Sequence, residues 1–188
     1  MTLEPDRNFK SFCDESNQTI ADELFAPENP AEWDDVVKIS HCEGFTFRNC
    51  IINPEGGNRE DGVDVMRKSR HVEFYNCRVG AGQKYAFTIK GGSDMISLAN
   101  VTITGRRGKE GVDIDIGNFS HTLPNVKTGL VYLDNVSRAN GEAVRVRVGW
   151  APNPSVAGGN VKILFWASIG LKLYVLFKRL CSTITRRL

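Results

Sequence analysis

The segments Val72-Glu73-Phe74-Tyr75-Asn76-Cys77 and Ile96-Ser97-Leu98-Ala99-Asn100-Val101 carry one pattern 24 residues apart: an apolar-alternating strand that closes on Asn and a small apolar residue. Phe45-Thr46-Phe47-Arg48-Asn49-Cys50 and Val131-Tyr132-Leu133-Asp134-Asn135-Val136 repeat it, so the asparagines recur at spacings of 27, 24 and 35 residues. Each copy follows another short alternating run: Val37–Ile39, Val63–Val65, Phe87–Ile89 and Val112–Ile116. A fifth copy opens at Val144–Val148 and continues through Val161–Phe165. Gly56-Gly57, Gly80–Gly82, Gly105–Gly108 and Gly158-Gly159 punctuate the loops between them.

Two or three short strands per repeat of about 24 residues describe an all-β, single-domain right-handed parallel β-helix, here of about five coils. No coil buries its inner face alone. Stacking buries one continuous core and pairs each strand with the next coil. Alternation then assigns the faces. Val63, Val65, Phe87, Ile89, Val112, Ile114, Ile116, Val144, Val146 and Val148 are expected inside. Asp64, Thr88, Lys90, Asp113, Asp115, Arg145 and Arg147 are expected outside. Asn49, Asn76, Asn100 and Asn135 are expected to form an axial ladder at a tight bend, because Asn tolerates left-handed backbone and stacked amides bond along the axis.

With 188 residues, 41% hydrophobic and 24% charged, the chain suits one globular body and excludes wholesale disorder. A net charge of +2 gives no argument for nucleic acid, and none is expected as a partner. The ends are asymmetric: residues 1–35 hold ten carboxylates, and residues 161–188 hold six cations and no carboxylate. Ser16–Phe25, just before Pro27, reads as an N-terminal cap helix within an acidic segment spanning 1–35. After the β-helix proper (36–166), Ile169, Leu173, Leu176, Phe177, Leu180, Ile184 and Leu188 follow helical spacing over 167–188. That basic amphipathic helix either caps the solenoid or contacts a membrane surface, and capping is the favoured reading.

Five cysteines with no CxxC pair argue against a zinc site or a disulfide framework. Cys50 and Cys77 share a column with Val101 and Val136 and read as small inward hydrophobes, although their adjacency leaves a disulfide geometrically open. His41, His71 and His121 show no metal-ligand spacing and no nucleophile partner. Neither a secretory signal nor a membrane span is visible, so a soluble protein is expected.

From Asp61 to Gly91 the sequence resembles the pectate-lyase-like β-helix superfamily. Asp64, Val65, Ser69, Val72, Val79 and Lys84 fall in register with its Asp-Gly-x-x-Asp-Ile-x-x-x-Ser-x-x-Val pattern, aromatic strand and lysine. The resemblance implies binding or β-elimination of an acidic polysaccharide. In that chemistry calcium on carboxylates neutralises the uronate, a base removes the acidified proton, and a cation stabilises the enolate. It implies calcium on Asp61 and Asp64, Lys84 as base, Arg145 or Arg147 on the enolate, and Lys90, Asp113 and Asp115 against substrate. Lysine is preferred as base because its pKa shifts readily, whereas a guanidinium stays charged. The alternative reading is a non-catalytic structural β-helix serving as a virion, surface or assembly component.

Overall fold

The computed structural model describes residues 10–26, 34–54, 56–57, 59–117, 128–149 and 154–165. They form a parallel β-solenoid of the right-handed type, built from three sheets of seven, six and five strands. The first sheet stacks Lys10–Cys13, Val37–Ser40, Val63–Met66, Phe87–Ile89, Ile114–Ile116, Val144–Val148 and Val161–Phe165. The second stacks Ser16–Ala21, Glu43–Arg48, Arg70–Tyr75, Asp94–Ala99, Val131–Asp134 and Ser155–Ala157. The third stacks Leu24–Phe25, Ile51–Ile52, Arg78–Gly80, Thr102–Thr104 and Ser137–Arg138. Five coils therefore carry all three strands.

The inward residues expected from alternation are all buried, from Val63 through Val148. Their core is aromatic at the N-terminal end. Phe47 and Phe74 stack at 4.7 Å with ring planes 7° apart, and Phe87 packs edge-on against Phe74 at 5.2 Å. Each such fully buried side chain is worth roughly 1.5–3 kcal/mol. Cys50 and Cys77 are buried free thiols, so no disulfide joins them.

The asparagine ladder stands at the corner between the second and third sheets. Asn49, Asn76, Asn100 and Asn135 all take left-handed backbone, with φ of 55, 53, 54 and 51°. Asn76 donates to Asn49 at 2.8 Å, and Asn135 to Asn100 at 2.8 Å. Asp22, at φ 59°, fills the same position in the first coil and accepts from Asn49 at 3.0 Å. The backbone N–H of each ladder residue through Asn135 also donates to the next coil, at 2.9–3.0 Å.

Two expectations are corrected. Ser16–Phe25 is no helix: it supplies the first strands of the second and third sheets, pairing with Glu43–Arg48 and Ile51–Ile52. The pairing offered by the neighbouring coil overrides local propensity there. The fourth repeat's first strand begins at Ile114 rather than Val112, because Phe87 pairs with Ile114. Val112 is nonetheless buried. Among the described residues the only helix is a 3₁₀ turn at Lys109–Gly111, and no helix is long and apolar enough to cross a membrane. The amphipathic segment expected over 167–188 lies outside the described residues.

Candidate functional site

Stacking brings most of the expected site residues onto the outer side of the first sheet and its entry loops. Lys38, Asp64, Thr88, Asp115 and Arg147 occupy one axial row, neighbour to neighbour in register. Asp64, Thr88 and Asp113 were expected to be exposed, yet all three are buried. Lys90 closes over Asp64, and Arg107 and Arg138 close over Asp113.

At the N-terminal end of this row, Asp35, Asp61 and Asp64 place carboxylate oxygens within 4.8 Å of one another, all buried. Lys38 pairs with Asp35 at 3.1 Å, and Lys90 with Asp64 at 2.8 Å. Asp35 accepts the Asp61 N–H at 3.1 Å, and Asp61 accepts the Tyr85 N–H at 3.1 Å. Burial pushes Asp61 up to about 7, with the Asp35 and Asp64 carboxylates adding to the effect. Burial also pushes Asp64 up, to about 6, against the opposing pull of Lys90. Burial works to lower Lys90, but Asp64 outweighs it and the ammonium is held above its usual range.

This group does not fit the expected calcium. The ion takes six to eight oxygens at about 2.3–2.6 Å. Two ammonium groups and two backbone N–H groups already occupy oxygens of the triad. These contacts take four of the triad's six carboxylate oxygens, and the Asp64 Oδ1 atom is buried without a hydrogen-bond partner, so the triad falls short of the six to eight oxygens required.

Lys84, Asp115 and Arg147 are also paired. Lys84 forms an ion pair with Glu60 from the preceding coil. Its loop is held against the following one by Gly108, where a Cβ would lie 1.7 Å from the Lys84 carbonyl oxygen. Arg147 grips Asp115 with two hydrogen bonds at 2.8 and 2.7 Å, reaches Glu110, and donates to the Tyr85 hydroxyl while its guanidinium lies 5.1 Å from that ring's centre. Asp115 holds Arg147 firmly charged, and burial raises the Tyr85 hydroxyl. Arg145 is exposed, with its guanidinium over Gly111.

Asp113 is fully buried and serves the fold. Arg138 donates to its Oδ1, Arg107 lies at 3.2 Å from Oδ2, and the Arg145 N–H donates to Oδ2 at 2.9 Å. Arg138 was not singled out in the sequence. It pairs with Ile103 in a third-sheet column that is otherwise Phe25, Ile52, Val79 and Ile103, all apolar and buried. An arginine in that column is the available sequence signal, and only an inward carboxylate opposite makes sense of it.

Away from this array, a cleft of about 450 Å³ runs along the corner between the second and third sheets. Asn49, Asn76, Asn100, Ile51, Arg78 and Thr102 line it. Arg78, Asn76 and Asn100 are exposed, and Tyr75, next to the ladder, is 41% exposed with Arg48 over its ring at 5.9 Å. Besides forming the ladder, Asn49, Asn76 and Asn100 line this cleft.

The chain matches no family model, no curated protein and no solved structure.

Proposed function

We propose that this protein is a carbohydrate-binding β-helix of pectate-lyase-like type, which holds an acidic polysaccharide along the axial cleft without cleaving it. The supporting observation is the exposed Arg78 set among Asn76, Asn100 and Thr102 in the cleft, with the exposed Tyr75 adjoining Asn76 in the chain. A guanidinium takes a uronate carboxylate with two parallel hydrogen bonds. Side-chain amides and hydroxyls serve sugar hydroxyls from both donor and acceptor sides. A tyrosine ring offers an apolar face to the sugar's own apolar face. The row repeats from coil to coil at about 4.8 Å, which suits an extended polymer better than a single sugar.

Elimination is disfavoured by the state of the candidate bases. Removing a proton requires an uncharged amine or a neutral guanidine. Lys90 is paired with Asp64 and Arg147 with Asp115 and Glu110, and each of these pairings favours the charged form, while Lys84 is engaged in an ion pair with Glu60.

Retention of the protein on polyuronate-containing gels, against gels of a neutral glucan, tests binding. Ultraviolet absorbance from unsaturated uronide tests cleavage in the same samples, with and without calcium. Retention without new absorbance is expected. Calcium-dependent absorbance that disappears in Lys84→Ala would restore the elimination reading, and neither retention nor absorbance would leave the structural-rod reading.

A further inference from the structure

Three donors of different chemistry meet at another corner of the solenoid, between the first and second sheets. The chain leaves the strand Lys10–Cys13 and turns at Asp14; one coil later it leaves Val37–Ser40 and turns at His41. Both corner residues are left-handed, at φ 57 and 55°, and the Asp14 N–H donates to the Ser40 carbonyl at 3.1 Å. Cys13 therefore sits in register with Ser40, and Asp14 follows in line with His41. Cys13 Sγ lies 3.2 Å from Asp14 Oδ2, and His41 Nδ1 lies 4.0 Å from Asp14 Oδ1. All three residues are exposed, and their donor atoms lie within 4.8 Å of one another.

The cluster is not arranged as a catalytic relay. A nucleophile–His–carboxylate relay uses the two ring nitrogens for different partners. Here Ser40 Oγ, at 3.3 Å, and Asp14 both address Nδ1 of His41. A hard cation such as calcium would need many more oxygens. Sulfur, imidazole nitrogen and carboxylate oxygen are instead the donor set of zinc. Bonds of about 2.0–2.3 Å in a tetrahedral site place donors roughly 3.3–3.7 Å apart. The observed 3.2 Å from Cys13 to Asp14 Oδ2 and 4.0 Å from His41 to Asp14 Oδ1 lie close to that range, and one donor atom from each residue lies within 4.8 Å of the others.

We propose that Cys13, Asp14 and His41 bind a zinc-type divalent transition cation that clips the first coil to the second. The clip falls at the first described coil. Among the described residues Lys10–Cys13 pairs on one side only, and Ser16–Ala21 is exposed along nearly its whole length. A cation that binds only the folded pair of coils shifts the equilibrium toward them.

Cobalt(II) titration of the full-length chain tests the site, since a Co–thiolate bond gives a charge-transfer band in the near ultraviolet. The band is expected in the wild type, displaced by zinc and lost in Cys13→Ser. Asp14→Asn and His41→Asn should each weaken it by at least about tenfold; Asn is chosen because it tolerates the left-handed corner. Zinc should raise the melting temperature of the wild type and not that of Cys13→Ser. No band in the wild type, a band that survives Cys13→Ser, or an undiminished affinity in His41→Asn would overturn the proposal.

Discussion

Arg138 and Asp113, 25 residues apart in sequence, form a buried ion pair inside the fifth coil, where the preceding coils place only apolar side chains. The guanidinium also donates to the Gly105 carbonyl at 2.7 Å, which ties the loop that carries Arg107 to the third sheet. Removing one partner strands the other charge in the interior. Asp113→Ala is therefore expected to cost about 3–5 kcal/mol, read as a lower denaturation midpoint. Adding Arg138→Leu to that variant should recover part of the loss, because leucine suits the apolar column. A single variant as stable as the wild type would remove the structural role assigned to this pair.

The carboxylate triad sets a pH dependence. Folding raises Asp61 from 3.8 to about 7 and Asp64 from 3.8 to about 6. The folded state then holds protons that the unfolded chain releases. The contribution of these groups is complete below about pH 4 and is lost as pH rises toward about 7, opposite in sign to that of a carboxylate paired with a cation. Asp61→Asn keeps the oxygen that accepts the Tyr85 N–H and removes the titration. Urea midpoints at about pH 5 and about pH 8 should differ less in that variant than in the wild type, with the variant gaining at the higher pH. Equal pH dependence in both proteins would contradict the assignment.

The ladder makes a separable prediction, because each asparagine does two jobs. Asn76→Ala loses the bond to Asn49 and forces a Cβ residue to hold φ 53°. Asn76→Gly loses only the bond. The alanine variant is expected to be the less stable, by about 1 kcal/mol, in thermal melts of the two proteins.

The core columns were legible because strand alternation is local: Val63, Phe87 and Ile114 announce their faces within three residues. What the outer face becomes was not legible in the same way. Asp64 alternates outward and is still buried, because Asp35, Asp61, Lys38 and Lys90 arrive from neighbouring strands and loops. Ser16–Phe25 misled for a related reason: its polar, uncommitted local pattern becomes strand only against Glu43–Arg48. The Cys13–Asp14–His41 cluster escaped spacing rules written for helices and hairpins. In a solenoid the relevant spacing is one coil, and Asp14 and His41 are 27 residues apart, the spacing that separates Asn49 from Asn76.

The cleft and the charge array make opposite claims about which cation matters. Arg78 is exposed in the cleft, whereas Lys84 is bound to Glu60. Calorimetric titration of a defined oligouronate into wild type, Arg78→Ala and Lys84→Ala measures both at once. Wild type and Lys84→Ala are expected to bind alike, more weakly as salt rises, while Arg78→Ala loses at least about tenfold in affinity. Undiminished binding by Arg78→Ala, or a loss confined to Lys84→Ala, would contradict the account.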